Sequence, residues 1–128
     1  MGSRLGASAE RGTAGVVSET AALIDDFLGG LQVERGAALN TLVAYRRDLK
    51  GFESFLARER RGLDAVGVTD LSRYMGSLRR RGLGGRSIAR HLSAVRGLYR
   101  FLLDEGRVPR DPTEHLDRPR SARRLPRT

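Results

Sequence analysis

Apolar residues return at spacings of three and four along most of this chain, and no stretch shows the period-two alternation of a strand facing water. The pattern predicts four helices separated by glycine-containing turns, an all-α fold. The first runs over 18–34, with Ser18 as N-cap and Leu23, Phe27, Leu28 and Leu31 on one side. The second, over 39–60, carries Leu42, Tyr45, Leu49, Phe52 and Leu56 as one continuous seam. The third, over 69–81, is short: Thr69 or Asp70 can cap it, Leu71, Tyr74, Met75 and Leu78 face inward, and Gly82 ends it. The fourth, over 86–105, is the stretch "RSIARHLSAVRGLYRFL" and its continuation, stopped by Gly106 and Pro109. The second and fourth helices also align at an offset of 46, pairing Leu42 with Ile88, Lys50 with Arg96 and Gly51 with Gly97. Two related hairpins would produce this echo, and so would shared amphipathic patterning.

The buried sides explain a fold; the wet sides raise a question. Advancing 100° per residue, Ile88, Leu92, Val95, Tyr99 and Leu102 fall in one sector, while Arg86, Arg90, Ser93, Gly97 and Arg100 gather half a turn away. In the second helix, the side away from the seam holds Asn40, Val43, Ala44, Arg47, Lys50 and Ser54. Both faces combine long cationic side chains with slim neighbours. A helix that enters a major groove needs this combination, since bulky neighbours would hold its backbone away from the base edges. Arginine can fork onto guanine or grip phosphate, and Asn40, Thr41, Ser87 and Ser93 can hydrogen-bond phosphate oxygens near helix starts. An ordinary solvated charged face is the alternative for either helix taken alone.

Charge distribution weighs against that alternative. The 128 residues carry a formal charge of +9, and residues 79–128 hold the whole excess, 14 Lys+Arg against 5 Asp+Glu. From Arg79 to Leu103 seven arginines occur without one Asp or Glu, so the usual stabilising pairs three or four residues apart are missing. Repulsion in that run calls for an external anion, and nucleic acid is the one expected. Cysteine is absent, which excludes disulfides and thiolate metal sites. No metal, cofactor or small-molecule ligand is indicated. No stretch is long and apolar enough for a signal peptide or a membrane span, and a cytoplasmic protein is expected. The small, Gly-rich residues 1–17 read as a disordered arm or tag, 18–117 as the helical domain and 118–128 as a basic linker.

The pieces "NTLVAYRRDL", "RSIARHLSAVRGLYRFLL" and "DPTEHLDRPR", in that order and at this spacing, resemble the N-terminal core-binding domain of tyrosine site-specific recombinases of the Xer type. The likeness covers residues 19–127. It implies a SAM-like four-helix orthogonal bundle of two crossed hairpins that clamps one side of a recombination half-site. The second and fourth helices would meet the major groove of double-stranded DNA, while a separate catalytic domain closes from the other side. By resemblance the contacts fall on Asn40, Thr41, Val43, Ala44, Arg47, Lys50, Arg86, Ser87 and Arg90, with Arg118 and Arg120 in the linker crossing the DNA. Neighbouring protomers of a tetramer would touch through the first helix.

The family's chemistry, a tyrosine nucleophile that forms a 3′-phosphotyrosine, belongs to the C-terminal domain. Tyr45, Tyr74 and Tyr99 lie on apolar faces and read as core residues with wet hydroxyls. No catalytic residue is expected in this chain. The spacing His115-x-x-Arg118 matches an active-site pattern, yet it precedes any catalytic domain and reads as structural or phosphate-contacting. His91, at the edge of the buried sector, reads as a satisfied interior histidine. Relatives often carry Ser before the second and fourth helices, where this chain has Ala38 and Gly84, so Asn40 is free to cap the second helix instead of touching DNA. Two other readings are a stand-alone helix-turn-helix regulator, for which "RGLGGRS" would supply the turn, and a helical adaptor for an acidic protein.

Overall fold

A computed structural model of the chain describes the backbone of residues 2–114 and of 116, and side chains from Glu19 onward. Among the described residues there are four α-helices, α1 (Gly2–Arg35), α2 (Leu39–Glu59), α3 (Val68–Arg80) and α4 (Gly85–Asp104), and one 3-10 turn, Leu63–Ala65. No described residue is in a strand. Three helices begin and end within a residue or two of the positions that patterning predicts. α1 does not: it starts at Gly2 instead of Ser18, so Ser18 is not an N-cap and residues 2–17 are helical. That run holds no proline, and its three alanines favour helix, although its glycines do not.

The ends follow local backbone chemistry. Gly36, Gly82 and Gly106 adopt positive φ just beyond α1, α3 and α4, the left-handed geometry that turns a chain away from a helix. α2 ends without glycine: Arg60 itself is left-handed at φ 58°, while Arg61 N–H closes onto Leu56 O at 3.0 Å. A side chain with a Cβ pays about 1–2 kcal/mol for that conformation. At the start of α3, Asp70 acts from the third position, accepting the Gly67 N–H at 2.9 Å. Thr69 is exposed and makes no cap.

One core joins all four helices. Leu23, Ile24, Phe27 and Leu28 of α1 meet Leu49, Phe52, Phe55 and Leu56 of α2, Leu71, Tyr74 and Leu78 of α3, and the Ile88-to-Leu102 face of α4. Leu63 and Val66 of the α2–α3 connection complete it. Two aromatic groups divide this interior. Phe52 lies 5.0 Å from Tyr74 and 6.4 Å from Tyr99, with Phe55 5.2 Å from Tyr74. Phe27 instead stacks near Tyr45 at 6.4 Å and packs on Phe101 at 5.7 Å.

The glycines that align between α2 and α4 have reciprocal neighbours. A Cβ on Gly97 would lie 3.1 Å from Phe27 of α1, and one on Gly51 would lie 3.7 Å from the Tyr74 hydroxyl of α3. Each hairpin's second helix thus receives an aromatic side chain from the first helix of the other. Gly97 is slim because Phe27 sits against it, which corrects its expected place on the groove-facing side.

Beyond α4 the chain folds back. Asp111 Oδ1 accepts from Thr113 N–H at 2.9 Å and from its hydroxyl at 2.6 Å, forming a local turn. Arg96 donates to the carbonyls of Thr113 and Leu116 at 3.4 and 3.5 Å, tying that turn to α4. The "DPT" part of the pre-linker is therefore structural, whereas His115, Arg118 and Arg120 lie outside the described residues.

Candidate nucleic-acid interface

The amphipathic twist of α2 places Asn40, Thr41, Val43, Arg47 and Lys50 in solvent, with Ala44 half-buried between them. Val43 is among the exposed large apolar residues at 54%. On α4, Arg86, Arg90 and Ser93 are exposed and Ser87 is half-buried. The ten described residues expected to face DNA therefore all reach the surface at least in part. Neither helix start is capped by a side chain: Ala38 and Gly84 are extended N-caps, and Asn40 makes no capping bond. The expected diversion of Asn40 into capping does not occur. Both first turns keep backbone N–H groups without an intrahelical acceptor, and these favour anionic ligands.

What joins the two faces is a residue that charge counting along the chain overlooks. Asp48 of α2 is buried at 1%, and both its oxygens hold Arg90 of α4: Nε to Oδ2 at 2.9 Å and Nη2 to Oδ1 at 3.0 Å. His91 Nε2 stands 3.5 Å from the same Oδ1, and His91 Nδ1 lies 3.2 Å from the Tyr74 hydroxyl. The chain Tyr74–His91–Asp48–Arg90 thus runs from α3 through α4 to α2 and back to the surface of α4. A Tyr hydroxyl donating to Nδ1 leaves the proton on Nε2, where it faces the carboxylate. The Tyr74 hydroxyl is then satisfied, and the Nε2 proton points toward Oδ1 at a longer 3.5 Å.

The electrostatics of this chain locate the basic groups. Burial holds the His91 imidazole below its ordinary range; Asp48 opposes that shift, and Arg90, Arg81 and Arg47 reinforce it. Arginines from α2, from the turn after α3 and from α4 therefore act on one point. Arg90 is pushed further up by its hydrogen bond to Asp48. Arg47, Lys50, Arg81 and Arg86 make no ion pair among the described residues, while Arg46, beside Arg47, turns away to Asp25 of α1 at 2.9 Å. The acid-free run from Arg79 to Leu103 is thus compensated in part, by Asp48 from another helix.

The arginine stripe of α4 does not act as one unit. Arg90 belongs to the Asp48 junction and Arg86 lies one turn before it on α4, whereas Ser93, Arg96, Gly97 and Arg100 border a groove of about 390 Å³ against Phe27, Gly30 and Tyr45. Tyr74 and Tyr99 are core residues, but their hydroxyls are not wet: Tyr99 donates to Leu63 O at 2.8 Å and Tyr74 faces His91. Burial pushes the pKa of both phenols further above the ordinary tyrosine value. Neither is placed to serve as a nucleophile. His91 is the satisfied interior histidine that its helix position predicts. Among the described residues no helix is long and apolar enough to cross a membrane.

Comparison with known proteins adds an independent line. Residues 24–106 match the family described as phage integrase, N-terminal SAM-like domain. The chain is 45% identical over 109 residues to the tyrosine recombinase XerD of Rhizobium meliloti, covering 85% of this chain and 35% of that protein. It is 46% identical over 108 residues to the tyrosine recombinase XerC of Azotobacter vinelandii, covering 82% and 36%. The tyrosine recombinase XerD of Listeria innocua is 36% identical over 107 residues, covering 82% and 36%. The chain spans about a third of the length of these relatives. No solved structure gives a significant match.

Proposed function

This chain belongs to the family of phage-integrase N-terminal SAM-like domains, and from that membership we propose that it is the DNA-gripping part of an Xer-type tyrosine recombinase. In this reading α2 and α4 enter the major groove of a recombination half-site. Arg47, Lys50, Arg86 and Arg90 supply cationic donors, Asn40, Thr41, Ser87 and Ser93 supply short hydrogen bonds, and Val43 and Ala44 allow close approach. The uncapped starts of both helices offer backbone N–H groups to phosphate oxygens. Arg118 and Arg120 would cross the DNA toward a catalytic domain. Cutting and rejoining through a 3′-phosphotyrosine would be the work of that domain, within a tetramer of protomers on cytoplasmic DNA.

The observation that carries the reading is geometric: Arg47 and Lys50 of α2 and Arg86 and Arg90 of α4 are exposed on two helices that the Asp48–Arg90 ion pair joins. A scattered solvated surface has no reason to draw cations from separate elements to one place. A stand-alone helix-turn-helix regulator finds one feature in its favour, the four-residue turn 81–84 between α3 and α4. The recombinases among its relatives favour the first reading.

Titration of the chain with labelled duplex at several salt concentrations tests DNA binding directly. With about five phosphates neutralised, log affinity should fall against log salt with a slope of about −4 to −5. A chain that ignores duplex at low salt would overturn the proposal and leave the adaptor reading. No covalent protein–DNA adduct should form with this chain.

A further inference from the structure

Among the described candidate contacts, Arg90 is the one whose guanidinium is already held by the protein. Asp48 takes the side edge, Nε and Nη2, in a two-bond fork. The end edge, Nη1 with the second hydrogen of Nη2, is left over, and it offers two parallel donors of the kind that match a pair of acceptors on guanine or phosphate. The side chain remains 46% exposed although its partner carboxylate is 1% exposed. The carboxylate is itself fixed, since His91 Nε2 faces Oδ1 and Tyr74 holds the other side of the imidazole.

We infer that Asp48 is a positioning residue for DNA recognition: braced by His91 and Tyr74, it clamps Arg90 so that the end edge of the guanidinium is aimed outward at acceptor oxygens or nitrogens of the duplex. This rests on the DNA-binding reading above. A free arginine loses rotamer freedom on binding, and an arginine clamped beforehand has less to lose. The clamp also explains an otherwise adverse feature, a carboxylate beside a surface meant for polyanions. In long-range electrostatics Asp48 opposes DNA; as a clamp it assists. The two effects have opposite signs, so a single substitution separates them.

The test is Asp48→Asn, alone and in an Arg90→Ala background, with a fluorescein-labelled mixed-sequence duplex as probe and a thermal melt to confirm folding. An asparagine turns one acceptor into a donor and breaks one arm of the fork. Alone it should weaken duplex binding about three- to tenfold, the range that immobilising one long side chain implies. In the Arg90→Ala background it should not weaken binding further. Unchanged or tighter binding by Asp48→Asn, or an equal loss in both backgrounds, would overturn the inference.

Side-chain NMR of the unsubstituted chain gives a second answer that needs no variant to fold. The Arg90 Nε–H should be rigid and slow to exchange compared with that of Arg86; equal mobility would overturn the clamp. Absence of duplex binding by the unsubstituted chain would instead defeat the reading on which the inference rests, and the NMR result would still report on the clamp.

Discussion

Between Arg86 and His91, α4 meets α2 through charged and polar groups; from Gly97 onward it meets α1 through a glycine and aromatic rings. Both halves carry arginines on what helical periodicity makes a single stripe, Arg86 and Arg90 in the first and Arg100 in the second, with Arg96 at its edge. In the first half Arg90 is fixed by a buried carboxylate and keeps donors facing out. In the second half Arg96 is turned to backbone carbonyls after the helix, and Arg100 borders a groove walled by Phe27 and Tyr45. A row of like residues along one helix is therefore not one surface. The helices that cross it decide what each turn of the row can do.

The sharpest way to break this contrast is to remove the aromatic wedge of the second half. Phe27→Ala empties the space between Gly97, Tyr45 and Phe101 and should cost about 3–5 kcal/mol of stability in a denaturant titration. Protein that remains folded should bind duplex as before.

A smaller effect is expected from Arg90→Ala, but on both properties. Sequence patterning alone suggests that this arginine is dispensable for folding. With Asp48 left buried and unpaired, the substitution should instead cost about 1–3 kcal/mol of stability, together with a loss of duplex affinity of about 1–3 kcal/mol. A variant that binds weakly yet melts like the parent would separate the two roles.

The smallest effect concerns protons. The folded chain holds His91 below its ordinary range, while the unfolded imidazole titrates near 6.5. As pH falls below about 6.5 the unfolded state takes the proton first, so stability should decline there; above that range this group contributes no slope. Denaturation midpoints against pH should show the decline, and His91→Gln should remove it.

Much of this architecture is legible in the chain. Leu49, Phe52 and Leu56 repeat as a helix seam should, and Gly82 and Gly106 mark stops where the backbone does turn left-handed. The start of α1 is not legible, because Ser18 has the chemistry of a cap whether or not the helix continues past it. The Leu63–Ala65 turn is too short to leave a period. Asp48 left a signal that charge counting passes over: it falls in one row with Tyr45, Phe52 and Phe55, an acid on an apolar side. Its partner could not be read, because a pairing 42 residues apart depends on how α2 crosses α4. The same holds for Gly97, whose smallness suits an approach to DNA and an approach by Phe27 equally well until the crossing is known.

The mutual exchange of aromatic wedges has a consequence for how the molecule can be divided. The ring packed against Gly97 of α4 comes from α1, and the ring packed against Phe52 and Phe55 of α2 comes from α3, so a chain severed in the connection after α2 would yield two pieces that each lack what the other holds. Such halves are built for complementation: incomplete apart, they can recover their shape by meeting.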